Sequence, residues 1–219
     1  MSKLHSPASS FIISLDFELY WGVRDSKKLS DYQVNIEGAR KAIPFILDLF
    51  KKFDIQATWA TVGFLFLNNF KEILTNLPEK KANYVIADLS PYPYIVNNSE
   101  NNAESFLRLH FAPDLVKLIS NTANQEIASH TLSHYYGLEN GQTVESFECD
   151  LIMNIKLAGL SGIQLKSIIF PRNQYNPEYE QILAKHGFTS YRGTANNWLY
   201  TSGNDRTYNT LLKKRISLR

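Results

Sequence analysis

Apolar and polar positions along the chain change period several times, and each change marks an element. Residues 11–17, FIISLDF, form an apolar run that reads as a strand. In NIEGARKAIPFILDLFKKF, residues Ile36, Ala39, Ile43, Ile46, Leu47 and Phe50 recur at helical spacing. Pro44 conflicts with that helix, because a proline there should kink it or mark its true first turn. IQATWATVGFLF (55–66) is rich in strand-forming residues and reads as a second strand running into a turn. Residues 67–110 lose the pattern, and their Pro, Asn and Ser clusters predict a surface loop or insertion.

Periodicity returns beyond that point. FAPDLVKLISNT reads as a helix with Pro113 in its first turn, and QEIASH as a short strand. TVESFECDLIMNIKLAGLSG reads as a helix with Thr143 as N-cap and Gly162 near its end. SIIFP is a strand. NPEYEQILAKHG is a helix capped by Asn176, opened by Pro177 and ended by Gly187, and FTSYRG is a last strand. Strands alternating with helices predict a parallel α/β fold, either a barrel or a doubly wound sheet. With no repeat and no linker, residues 1–219 read as one domain.

Composition narrows the function classes. The 219 residues are 44% hydrophobic, enough for one sizeable core, and 23 basic against 21 acidic side chains leave a net charge of +2. That balance predicts no affinity for nucleic acid. Lys213, Lys214, Arg215 and Arg219 form the one basic cluster, at the C-terminus. The single cysteine, Cys149, excludes an intramolecular disulfide. No stretch reaches the length of a membrane span, and the N-terminus lacks the apolar core of a signal peptide, so the expected location is the cytoplasm.

Chemistry in parallel α/β folds gathers at the C-terminal ends of strands. The first strand ends at Asp16 and Glu18, which share a face at i, i+2. The QEIASH strand runs into His130 and His134, and SIIFP runs into Pro171, Arg172 and Asn173. A helical turn would put His130 and His134 on one side, able to share an ion. A carboxylate would complete a site open to water and substrate. Of the two acids, one suits a metal and the other suits activation of water. The competing interpretation is a salt-bridged loop, since Arg24, Asp25, Lys27 and Asp31 lie nearby.

SLDFELYWG, ATWATVGFLF, QEIASHTLSHYYG, IIFPRNQYN and GFTSYRG occur in an order that resembles the polysaccharide deacetylases, carbohydrate esterase family 4 or NodB-homology domain, over about residues 11–200. The resemblance implies a distorted, incomplete (β/α) barrel that removes N- or O-acetyl groups from sugars with one divalent metal. Zinc is expected, with cobalt, nickel or manganese as alternatives. It implies Asp16 as catalytic base, Glu18, His130 and His134 as metal ligands, Arg172 as the arginine orienting the base, and the Tyr175 amide as oxyanion donor. Tyr20, Trp21, Tyr135 and Asn173 would line the substrate rim, where aromatic rings, Tyr136 among them, stack on sugar faces. The partner would be an acetylated saccharide of cell-envelope polysaccharide metabolism.

The chain also departs from the family. The first motif is Asp-x-Glu instead of adjacent aspartates, and Pro-Arg-Asn-Gln-Tyr stands where the family has Arg-x-Pro-Tyr. Asn196 and Asn197 precede Trp198 where an acid is expected, and no histidine follows Tyr191. The family's late general-acid histidine is therefore missing, which suggests a shortened chain and, as one alternative, an impaired homologue that binds metal or saccharide. A hydrolase of another linear or cyclic amide, allantoinase-like, is the other alternative.

Overall fold

The computed structural model describes residues 11–193. Five strands pair in parallel and in chain order: β1 (Ser14–Phe17), β2 (Ala57–Thr61), β3 (Gln125–Ser129), β4 (Ser167–Ile169) and β5 (Ser190–Arg192). Sequential order separates a barrel from a doubly wound sheet, in which the order reverses at a switch point. Right-handed crossovers taken always in one direction place every connecting helix on the same face. The sheet then curls around its other face, giving an incomplete (β/α) barrel.

Register assigns the two faces. Leu15, Trp59 and Ile127 lie abreast, as do Phe17, Thr61, Ser129 and Ile168. Their apolar members join the main core under the helices. The alternate positions face inward: Ser14, Thr58 and Glu126 in one row, Asp16, Ala60 and Ala128 in the next. Ala60 and Ala128 pack with Ile169 in a small apolar cluster of their own. Around it the inner face is polar, with Thr58 and Ser167 donating to Glu126 at 2.8 and 2.6 Å.

The long helix α1 (Leu29–Lys52) buries Ile36, Arg40, Ile43 and Leu47 and runs through Pro44 without ending. Arg40, not Ala39, takes the core-facing position. Its guanidinium donates to the carbonyls of Arg108 and Phe111 and pairs with Asp114 at 2.9 Å, so its charge is met where it is buried. Residues 67–110 are more than a loop. They hold α2 (Phe70–Thr75), α3 (Tyr92–Asn97) and α4 (Glu104–Leu107), and bury Phe70, Ile73, Leu89 and Ile95. Helix α5 (Pro113–Ser120) opens on Pro113. Helix α6 (Val144–Leu160) carries a capping box between Thr143 and Ser146. Asn176 caps the turn into α7 (Glu180–Lys185), and Gly187 follows with φ +81°. No helix among the described residues is long and apolar enough to cross a membrane.

Candidate metal centre

Strand β1 delivers Asp16 and Glu18 to the inner face before the backbone breaks away. Leu19 takes φ 47°, and the chain turns through a 3₁₀ segment, Leu19–Gly22. Such φ values are strained for a branched residue and gather at functional sites. The turn ends on a glycine for a local reason. A Cβ at Gly22 would lie 1.9 Å from Glu18 Cδ and 2.0 Å from Oε1, so the carboxylate occupies the space that any larger residue would need.

His130 follows β3 directly, and His134 lies four residues on. No helix connects them, contrary to the expectation from their spacing: the segment is a loop in which Thr131 and His134 both have positive φ, 62° and 57°. The loop nevertheless sets the two rings 5.3 Å apart, both buried. Peptide groups between them are held by neighbouring elements. Gly63 and Phe64 donate to the Thr131 and Leu132 carbonyls at 2.9 and 3.1 Å, and Leu132 N–H donates to Asp150 at 2.7 Å.

Glu18, His130 and His134 offer ligand atoms that all lie within 4.8 Å of one another. His130 Nδ1 is 2.8 Å from the Ile169 carbonyl, which can only accept, so this nitrogen carries the proton. In the neutral ring Nε2 then holds a lone pair. It lies 3.3 Å from Glu18 Oε2, is buried and has no hydrogen-bond partner. His134 Nε2 lies 3.1 Å from the same oxygen. Two acceptors facing each other are unfavourable unless a proton or a metal ion lies between them. A nitrogen–nitrogen–carboxylate set with one ring pinned by a carbonyl suits a divalent ion. Burial raises the Glu18 pKa, but the two imidazoles outweigh it and hold the carboxyl well below the usual range. Burial also lowers the His134 pKa, against the pull of Glu18, which favours the neutral, ligating ring.

The other expected residues divide. Asp16 accepts from Arg192 at 3.2 Å, and Arg192 also donates to Ser14 and Asn173. Arg172 is turned elsewhere: it donates to both oxygens of buried Asp25 at 2.8 and 2.9 Å and lies over the Tyr136 ring. The arginine paired with Asp16 is thus Arg192. The Tyr175 amide donates to the Asn173 carbonyl at 2.9 Å, so it is not a free oxyanion donor. Tyr20, Trp21 and Tyr135 do not form a rim. All three are buried in the core, with Trp21 Nε1 donating to His110 O at 2.7 Å and Tyr135 Oη 2.7 Å from Ser146 Oγ. Asn173 is exposed, and Tyr136 is buried edge-on against the His134 ring. Asn196, Asn197 and Trp198 lie outside the described residues.

Arg192 is absent from the sequence reading, and Asp25 enters it only as one of several residues near a salt-bridged loop. Arg192 could have been singled out, since the strand-end rule that found Asp16 applies equally to the FTSYRG strand. Asp25 does pair with an arginine, but with Arg172, 147 residues away, and not with nearby Arg24.

No family model matches the chain, and no curated protein matches it. Solved structures do. A Mycobacterium smegmatis protein provisionally named a polysaccharide deacetylase superposes with TM-score 0.50 at 13% identity, over 81% of this chain and 48% of its own. A Bacillus anthracis pseudoenzyme of the CE4 family gives 0.44 at 14% identity, over 82% and 42%. A de-N-acetylase from Aggregatibacter actinomycetemcomitans gives 0.48 at 14%, over 89% and 66%. The first of these likenesses shows a shared fold. The chain spans less than half the length of the first two.

Proposed function

We propose that this protein is a metal-dependent hydrolase that removes acetyl groups, N- or O-linked, from a saccharide of cell-envelope polysaccharide metabolism. One observation carries the reading: Glu18, His130 and His134 bring three ligand atoms within 4.8 Å of one another, with His130 Nε2 buried and without a hydrogen-bond partner. These residues would hold one divalent ion. Zinc best suits two imidazoles and a carboxylate, with cobalt, nickel or manganese as alternatives. When bound, the ion would supply Lewis acidity, polarising the acetyl carbonyl and making water more acidic.

The chain's own groups supply the rest. Asp16 sits on the inner face two residues before Glu18, partly open to solvent, and acts as the base that takes a proton from water. The Arg192 guanidinium fixes its direction. The choice of a sugar substrate is supported by the order of the five motifs along the chain.

The test joins metal content to turnover. The unaltered protein should hold about one equivalent of metal by elemental analysis and release acetate from a panel of acetylated saccharides, but not open cyclic ureides. E18A and H130A should lose the metal. D16N should keep it and lose about 10²–10⁴-fold in rate. Full metal content in E18A and H130A would sink the proposal.

A further inference from the structure

The core-facing side of α6 is not wholly apolar: beside Phe147, Leu151, Leu157 and Ala158 it buries a polar row. Ser146, Asp150 and Asn154 follow one another at four-residue steps, and all three are buried. A helix ordinarily turns apolar residues toward the core. Here the polar row faces the segment that carries both histidines. Ser146 Oγ meets Tyr135 Oη at 2.7 Å. Asp150 accepts from the Leu132 amide at 2.7 Å and from the Ser133 hydroxyl. Asn154 donates to Ser129 Oγ at 2.7 Å, and that oxygen also accepts from the Thr131 amide at 3.0 Å. From the turn after β2, Gly63 and Phe64 donate to the carbonyls of Thr131 and Leu132. The histidine loop is therefore held both by the turn after β2 and by the middle of α6.

Asp150 has the central place in this grip. Its two partners, Leu132 and Ser133, are two of the three residues between His130 and His134. Its carboxyl is also a poor choice for stability alone. Burial pushes its pKa up to about 7, against the opposing pull of Ser133 and the Leu132 amide. Replacing buried charge by a well-packed apolar side chain is often neutral or stabilising.

We propose that Asp150 is a positioning residue for the metal centre: it fixes the Leu132–Ser133 turn so that the His130 and His134 rings both face Glu18. It touches neither histidine and acts through the loop. The inference rests on the metal-site reading given above.

Cobalt titration of the full chain against a competing chelator, with the visible spectrum recorded, tests it beside thermal melts of the metal-free protein. D150L should weaken cobalt affinity by about 10–100-fold, the range for a lost outer partner of a metal ligand, and alter the spectrum, in protein that still melts cooperatively. D150N keeps an acceptor for Leu132 and a polar partner for Ser133, and should restore most of the affinity. If D150L does not fold, S133A removes one contact alone and should weaken binding in the same direction. Wild-type affinity in D150L or S133A, or affinity in D150N as poor as in D150L, overturns the positioning role. Failure of the unaltered protein to take up cobalt overturns the metal-site reading and this inference together.

Discussion

At the scale of single residues, the site depends on one missing methyl group. The Glu18 carboxylate lies where a side chain at position 22 would begin. The atoms that would clash belong to a flexible side chain, so G22A can be accommodated by swinging Glu18 aside without moving backbone. The expected outcome is a folded protein with a displaced metal ligand. G22A should melt within a few degrees of the parent when both are metal-free, yet retain little metal by elemental analysis. A parent-like metal content would show that the carboxylate is not held where the structure places it. The positive-φ residues support the same view. Leu19, Thr131, His134, Arg172 and Asn173 all lie just beyond strand C-termini, at the mouth of the half-barrel. Strain of this kind persists only where surrounding contacts enforce it.

At the scale of elements, legibility followed how local the cause was. Caps at Thr143 and Asn176 and the terminator Gly187 act within a few residues, and the helices they bound were readable. Arg40 was not, because periodicity counts arginine as polar, whereas its long stem reaches carbonyls and Asp114 from a core position. Tyr20 and Trp21 were misplaced because strand alternation stops at Glu18; the 3₁₀ turn after Leu19 carries both rings into the core. The His130–His134 pairing was legible in spacing but not in cause, since a loop held from outside replaces the expected helical turn. Arg192 shows a rule applied too narrowly. It ends β5 and meets Asp16 across the curled sheet. Both side chains are part-exposed, at 31% and 40%, so their ion pair contributes little to stability. R192M should therefore leave the melting temperature nearly unchanged. Its acetate release should fall by up to about 10²-fold through a misdirected base, with metal content intact. A rate equal to the parent's would remove Arg192 from the site.

At the scale of the whole molecule, the metal would tie together parts distant in sequence. Glu18 belongs to the end of β1 and the histidines to the loop after β3, with β2 between them. Among the described residues β1 pairs only with β2 and β5 only with β4, while Arg192 at the end of β5 reaches Ser14 and Asp16 of β1. A ligand that binds only the folded state adds stability as the logarithm of its concentration over Kd, about 2.7 kcal/mol at a hundredfold excess. Chelation should accordingly lower the melting temperature by several degrees, and E18A should show no such difference. The sign with pH follows from the ligands. Each must give up its proton to bind, so affinity falls as protons compete. The metal-dependent increment should be full near pH 8 and shrink on acidification, and burial, which lowers the His134 pKa, places that ring's share of the loss below the ordinary imidazole range. Calorimetric melts with and without chelator from pH 8 to pH 5 would measure it. An increment that grows on acidification, or one that E18A retains, would place the ion somewhere other than Glu18, His130 and His134.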